Sequence, residues 1–97
     1  MSKPWTPEQR EKVLRAFLID GRVVGFPRKP SRKEILLDVI AQLFEPGVRY
    51  TELEVNALLR SLTDDYVTAR RYLVDFGMLS REASVYWRSG GSVNPGA

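Results

Sequence analysis

The chain has 97 residues, of which 43% are hydrophobic and 28% are charged, and its formal net charge is +3. This length suffices for one small hydrophobic core but not for two. The sequence contains neither cysteine nor histidine, which excludes disulfides and thiolate metal sites and removes the commonest general base. We therefore expect no bound metal, no cofactor and no enzymatic activity.

The sequence shows neither the pattern of a membrane span nor that of a signal peptide. No apolar run approaches the roughly 18 residues of a membrane span, and the N-terminal MSKPWTPEQREK lacks the apolar core of a signal peptide. We expect a cytoplasmic protein that does not contact membranes. Its predicted parts are an N-terminal arm over residues 1–5, one domain over 6–88, and a disordered tail over 89–97, where hydrophobic periodicity ends.

The first predicted helix covers residues 7–20. Thr6 and Gln9 form a capping box around Pro7 at the first helical position. An apolar stripe follows, made of Val13, Leu14, Phe17 and Leu18. Residues 22–30, RVVGFPRKP, contain two prolines and a glycine, so we expect a loop that begins with a short strand at 22–24.

A second helix is predicted over residues 32–44, where Ser31 and Glu34 match another capping box. Its wide apolar face makes it the expected central helix of the core. That face consists of Ile35, Leu36, Val39, Ile40, Leu43 and Phe44. Glu45-Pro46-Gly47 should end this helix, and residues 48–50 can then extend as a strand.

The next segment predicts two helices joined by a tight turn. Thr51 and Glu54 form a capping box for a helix over residues 52–61. Its apolar repeat is Val55, Leu58, Leu59 and Leu62. Asp64 and Asp65 offer side-chain caps for a helix over residues 64–76. The glycine that follows Phe76 is the residue best able to end such a helix.

Residues 79–88 predict a hairpin that turns at Glu82-Ala83-Ser84. Tyr86 and Trp87 point to opposite faces of its second strand, so one of them should enter the core. The whole order predicts a mainly α fold with a small β wing, a winged helix-turn-helix with an extra N-terminal helix. The expected core is Phe17, Ile35, Leu36, Val39, Ile40, Leu43, Val55, Leu58, Leu59, Leu62, Leu73 and Val74.

Charge is distributed unevenly along the chain. Residues 1–33 carry nine basic and three acidic side chains, whereas residues 34–97 carry six basic and nine acidic ones. The densest basic stretch contains no acid: Arg22, Arg28, Lys29, Arg32 and Lys33. Cations in the first turn of a helix oppose its dipole, so a docked phosphate would relieve this cluster. The alternative is a solvated basic loop that serves solubility.

The second helix of the predicted helix-turn-helix is not strongly basic. Its expected exposed face combines Arg71 with three carboxylates, from Asp64, Asp65 and Asp75. If it enters a DNA groove, the side chains nearest the bases are Thr68, Arg71 and Tyr72, and the hairpin adds Arg81 and Arg88 as phosphate contacts.

Arg70 falls within the apolar arc of the same helix. A buried guanidinium must find a carboxylate, so we expect a structural ion pair. The candidate partners are Asp38, Glu52 and Glu54.

Several runs carry a family resemblance: FPRKPSRKEILL, YTELEVNALL, ARRYLVDFGMLSR and YWR. Over about residues 10–88 the chain resembles a small bacterial domain of unknown function that occurs alone or appended to ArsR-type helix-turn-helix regulators. The resemblance implies a winged-helix fold, and its members are often labelled transcriptional regulators by association. The family's wing usually turns through a pair such as Asp-Gly, so Glu82-Ala83-Ser84 predicts a looser tip here.

Two function classes remain open. The first is a transcriptional regulator that binds double-stranded DNA through the basic 22–33 segment and the wing. A homodimer is then expected, because one helix reads few base pairs, with Trp5 and Phe17 at the dimer interface. The second is a protein-interaction or dimerisation module that has lost DNA reading, which the acidic helix face favours. Single-stranded nucleic acid is a third target.

Overall fold

The computed structural model of the chain describes residues 5–92, and that part forms four helices and five short strands. In chain order they are α1 (Pro7–Phe17), β1 (Leu18–Ile19), β2 (Arg22–Val23), α2 (Pro30–Ala41), β3 (Arg49–Thr51), α3 (Glu52–Arg60), α4 (Tyr66–Asp75), β4 (Leu79–Glu82) and β5 (Val85–Arg88). None of the helices in this range has the length and apolar character that crossing a membrane requires.

Helix α1 begins at the predicted capping box: the Gln9 amide donates to Thr6 Oγ1 (3.2 Å), and the Thr6 amide donates to Gln9 Oε1 (2.8 Å). It ends at Phe17 and not at residue 20, because β1 turns back to pair antiparallel with β2. Asp20 and Gly21 have φ angles of 51° and 78°. Positive φ at both central residues is typical of a two-residue type I′ hairpin, for which Asp-Gly is a favoured sequence.

The predicted capping box at the start of α2 is wrong. The helix begins at Pro30, its N-cap is Lys29, and no side chain caps it. Proline prefers the first helical position, so the start moves ahead of Ser31. The helix also ends at Ala41 and not at residue 44, because the amide of Phe44 donates to the Ala41 carbonyl (3.0 Å) in a tighter turn.

Helices α3 and α4 are capped mainly as predicted. The Glu54 amide donates to Thr51 Oγ1 (3.2 Å), and the Thr51 amide donates to Glu54 Oε1 (2.8 Å). The hydrogen bond from the Thr51 backbone amide, followed by the interaction with the Thr51 hydroxyl, lowers the pKa of the exposed Glu54 carboxyl. Asp65 caps α4 by accepting from the Thr68 amide (3.3 Å). Gly77, with φ 74°, ends α4 in a left-handed conformation, as expected.

The second sheet has the strand order β3-β5-β4 and is antiparallel. It confirms the predicted hairpin and the strand before α3, with Tyr50 opposite Tyr86 and Arg81 opposite Tyr86 on the other side. Glu82 pairs with Val85, which leaves a two-residue turn in which Ala83 has a φ of 54°. The hairpin therefore closes tightly, although its turn contains no glycine.

The core is centred on α2, which packs against α1 on one side and α4 on the other. Six predicted core residues are buried, namely Ile35, Leu36, Ile40, Val55, Leu59 and Leu73. The other six, Phe17, Val39, Leu43, Leu58, Leu62 and Val74, are only half-buried. The hydrophobic core contains nine further buried side chains: Val13, Val23, Leu37, Ala41, Phe44, Ala69, Met78, Leu79 and Tyr86. Leu37 and Ala41 are among them because neighbours cover α2 on more than one face.

The prediction of a disordered tail from residue 89 is wrong for its first part. Buried Asp38 accepts hydrogen bonds from the Ser92 amide (2.5 Å) and the Ser92 hydroxyl (2.8 Å). Gln42 also donates to the Ser92 carbonyl (2.9 Å). Residues 89–92 therefore close over the C-terminal half of α2. Residues 93–97, and residues 1–4 of the predicted arm, lie outside the described part.

Candidate nucleic-acid interface

The basic segment, residues 22–33, runs from β2 into the first turn of α2 and contacts α4 through aromatic rings. Phe26 in this segment meets Tyr72 of α4 edge to face, with ring centroids 5.2 Å apart and an interplanar angle of 80°. Lys33 Nζ lies 4.3 Å from the centroid of the same Tyr72 ring. A cation at this distance is attracted by the ring face. Tyr72 therefore connects the basic segment to α4.

Arg71 approaches the Tyr72 ring as well, with Cζ 5.6 Å from the centroid. Arg71 is exposed, as predicted, whereas Tyr72 is half-buried and also meets Phe76 edge to face at 6.5 Å. One ring thus has a cation from α2 and a cation from α4 beside it. Lys33 and Arg71 are distant in sequence, and the Tyr72 ring brings them together.

A shallow groove of about 300 Å³ continues from Arg71 between α4 and the β4–β5 hairpin. Arg70, Arg71 and Asp75 border it on the helix side, and Arg81 and Tyr86 border it on the hairpin side. Three guanidinium groups thus face one carboxylate. The predicted base contact Thr68 is half-buried on α4, where its amide is occupied by the Asp65 cap.

Arg81 is held in place by its own hairpin. Its Nε donates to the Ala83 carbonyl (2.7 Å), and its Nη2 lies 4.0 Å from Glu52 Oε1. About half of its side chain remains exposed, at 52%. The bond to Ala83 fastens the tip that the sequence predicted to be loose, and Arg81 remains a border residue of the groove.

Arg70 does not form the predicted ion pair. Its side chain is half-buried, and Nη1 donates to the amide oxygen of Asn56 on α3 (2.5 Å). Among the ion pairs of residues 5–92, none includes Arg70. Because the side chain retains access to solvent, a neutral acceptor suffices and the desolvation that would demand a carboxylate is smaller.

Arg22, one of the predicted phosphate contacts, already has partners within the protein. Its Nη2 donates to Asp64 Oδ1 (2.7 Å), and its Nη1 lies 3.4 Å from the carbonyl oxygens of Arg60 and Ser61. The ion pair joins β2 to the turn between α3 and α4. Asp65, and not Asp64, caps α4 because it immediately precedes Tyr66, the first residue of that helix.

Arg88, another predicted phosphate contact, also has its hydrogen-bond partners within the protein. It is half-buried, and its guanidinium donates to the carbonyls of Phe44 (3.0 Å), Gly90 (2.7 Å) and Ser92. These bonds join β5 to the turn after α2 and to the C-terminal segment. A side chain whose donors already meet three carbonyls holds the fold together and is not available to a phosphate.

Besides the ion-paired Arg22, three cations of the basic segment are exposed: Arg28, Lys29 and Arg32. None of them takes part in an ion pair within residues 5–92. Together with Lys33, Arg71 and Arg81 they make up what we call the basic surface. Phe26 was not predicted to shape this surface, and Glu52 was predicted as a partner of Arg70 and not of Arg81, because these contacts join residues that are distant in sequence.

The comparison with protein families matches residues 22–88 to the family described as "Uncharacterized protein conserved in bacteria (DUF2087)". The match covers more than half of the chain, so the protein belongs to this family. It begins at Arg22, later than the resemblance noted from residue 10, and therefore leaves α1 and β1 outside. No curated protein and no solved structure matches the chain significantly.

Proposed function

We propose that this protein is a winged-helix transcriptional regulator that binds double-stranded DNA. In this assignment α3 and α4 are the helix-turn-helix, and β4 and β5 are the wing. The strand order β3-β5-β4, with both helices inserted between β3 and the hairpin, supports it. Helix α4 is the element that enters the major groove.

The arrangement around Tyr72 carries the proposal. Lys33 and Arg71 lie 4.3 Å and 5.6 Å from its ring centroid, so the basic segment and the exposed side of α4 present positive charge together. Arg81 extends this charge to the hairpin across the groove. The basic surface contacts phosphates, while Arg71, with Thr68 and the edge of Tyr72, lies nearest the bases.

The carboxylates of α4 are compatible with this mode of binding. Asp64 is neutralised by Arg22 at 2.7 Å, and Asp65 is used as the helix cap. Only Asp75, near the C-terminal end of α4, faces the groove without such a role. The helix therefore repels DNA less strongly than three carboxylates counted from the sequence would imply.

A homodimer remains part of the proposal, because one α4 contacts few base pairs. The structure does not favour the dimer interface that the sequence analysis expected at Trp5 and Phe17. Trp5 and Phe17 pack against the core and line a cleft beside α2, so they do not form a free apolar face.

The test is a fluorescence anisotropy titration of the protein against random duplex DNA at several salt concentrations. Each phosphate contact adds roughly 0.9 to the slope of log affinity against log salt, so six cations predict a slope of up to about 5. Replacing Arg28, Lys29, Arg32 and Lys33 by alanine should flatten the slope by about 3 to 4 units and weaken all sequences alike. Salt-independent binding, or equal binding by this variant, would refute the proposal.

A second candidate function is a protein-interaction module. Leu53 on α3 and Val67 on α4 are 81% and 51% exposed, which places apolar side chains on both helices of the proposed helix-turn-helix. Large exposed apolar side chains on these helices are compatible with a partner surface. Sedimentation of the wild type and of Leu53→Ser tests it: concentration-dependent association that the substitution abolishes, without DNA binding, favours this candidate.

A further inference from the structure

A second cavity lies on the other side of the basic segment, between α1 and the start of α2. Its volume is about 590 Å³, and we call it the α1–α2 cleft. Its lining includes Trp5, Lys12 and Phe17 from the N-terminal side and Lys29, Arg32 and Ile35 from around the start of α2. Binding sites for small molecules commonly enclose roughly 300 to 1,000 Å³, so the cleft has the size of a ligand site.

The lining combines an apolar part with an excess of positive charge. Trp5, Phe17 and Ile35 supply aromatic and aliphatic surface, and Val13 and Ala16 extend it. The cations of the lining are Lys12, Lys29 and Arg32, and its carboxylate is Glu34. An apolar body with a negatively charged group is the ligand chemistry that such a lining complements.

Trp5 adds a specific hydrogen-bond donor. Its indole Nε1 is buried and has no hydrogen-bond partner among residues 5–92. Buried donors almost always have an acceptor, since leaving one unsatisfied destabilises the folded state. Trp5 itself lines the cleft, so a bound ligand whose oxygen reaches this nitrogen would supply that acceptor.

The start of α2 provides the third observation. No side chain caps this helix, and its first turn contains no acidic residue. The N-terminal end of a helix carries partial positive charge, and here Lys29 and Arg32 add to it. A bound anion would offset both contributions.

We propose that the α1–α2 cleft binds a small organic anion, a carboxylate attached to an aromatic or aliphatic body. The carboxylate lies against Lys29 and Arg32 at the start of α2, and the body lies between Trp5, Phe17 and Ile35. Helix α1, which forms one wall, lies outside the segment that matches the family, so the site combines the family's domain with this chain's own N-terminal helix.

The proposal does not depend on DNA binding. Lys29 and Arg32 belong to both the cleft and the basic surface, so an anion bound there would compete with DNA phosphates. That consequence rests on the proposed function, whereas the cleft can be tested with the protein alone.

The test is a titration of the ¹⁵N-labelled protein with sodium benzoate, followed through its tryptophan indole N–H signals. The chain has two tryptophans, and Trp87, on β5, serves as the internal reference. The variant Trp5→Phe assigns the signals. Benzoate should shift the Trp5 signal saturably and leave Trp87 in place. Neutral benzyl alcohol and inorganic phosphate should each bind at least about tenfold more weakly. Benzyl alcohol lacks the negative charge, and phosphate lacks the apolar body.

Matched variants separate a site from general attraction of anions. Lys29→Gln and Arg32→Gln should each weaken benzoate binding by roughly fivefold or more. Arg10→Gln and Arg28→Gln remove the same charge from exposed positions that do not line the cleft, so they should bind benzoate as the wild type does. Absence of a saturable Trp5 shift up to about 10 mM benzoate, or equal loss in all four variants, overturns the proposal. Benzoate uptake by a protein that binds no DNA would refute only the proposed function.

Discussion

The hydroxyl of Tyr86 donates a 2.9 Å hydrogen bond to Glu52 Oε1, which ties the second strand of the hairpin to the first turn of α3. Tyr86 is only 1% exposed. Burial, followed by the bond to Glu52, raises the pKa of the tyrosine above its ordinary value of 10.0. The same carboxylate oxygen lies 4.0 Å from Arg81 Nη2, so this contact also helps to place a cation of the basic surface.

Replacing Tyr86 by phenylalanine should lower the free energy of unfolding by about 1 to 2 kcal/mol, because Glu52 loses a donor inside the fold. Since the folded state raises the pKa, the hydroxyl's contribution is complete below about pH 10 and is lost as the pH rises through the folded-state pKa. Urea denaturation from pH 8 upward should therefore show a steeper alkaline loss for the wild type than for Tyr86→Phe. Parallel curves would contradict this explanation.

The Asp38–Ser92 contact should stabilise the whole domain. Asp38→Ala removes the acceptor of two hydrogen bonds in a buried position, and we expect a loss of about 2 to 3 kcal/mol. Ser92→Ala removes only the hydroxyl bond and should cost about 1 kcal/mol. Glu45→Ala, at an exposed position, is the control and should melt like the wild type. An unchanged melting temperature for Asp38→Ala would show that the C-terminal segment is not held as described.

Arg70 and Arg71 should differ in their effect on stability. Arg70→Ala breaks the bond to Asn56 and should lower the free energy of unfolding by about 1 to 2 kcal/mol, less than a buried ion pair would require. Exposed Arg71→Ala should change it by less than about 0.5 kcal/mol. Thermal melts of both variants provide the comparison, and indistinguishable melts would refute the distinction.

The neighbours Leu58 and Leu59 test the position of the core. Leu59 is 0% exposed, whereas Leu58 is half-buried at its edge. Leu59→Ala should cost about 2 to 5 kcal/mol because it leaves a cavity, and Leu58→Ala should cost clearly less because solvent can fill the space. The reverse order in chemical denaturation would mean that α3 is rotated relative to the structure.

Local sequence signals predicted most of the secondary structure. The capping boxes at Thr6 and Thr51 and the glycine stop after α4 were each correct, because caps depend on residues only a few positions apart. The same reasoning failed at α2. Ser31 and Glu34 have the right spacing for a capping box, but Pro30 fits the first helical position better and moves the start of the helix.

The candidate site was less predictable, because the partners of its arginines are distant in sequence. Arg22 meets Asp64, and Arg88 meets the Phe44 carbonyl. No periodicity or spacing rule indicates such pairs, so charge counting alone assigned both arginines to phosphate. The contact of Lys33 and Arg71 with Tyr72 was missed for the same reason.

The most direct measurement is the salt dependence of DNA affinity for two charge-matched double variants. Arg32→Gln with Arg71→Gln removes one exposed cation from the basic segment and one from α4, and Arg10→Gln with Arg15→Gln removes two exposed cations from α1. Our account predicts that the first pair flattens the slope of log affinity against log salt by about 2 units, whereas the second pair leaves it unchanged. Equal slopes for both variants, or no salt-dependent binding by the wild type, would contradict it.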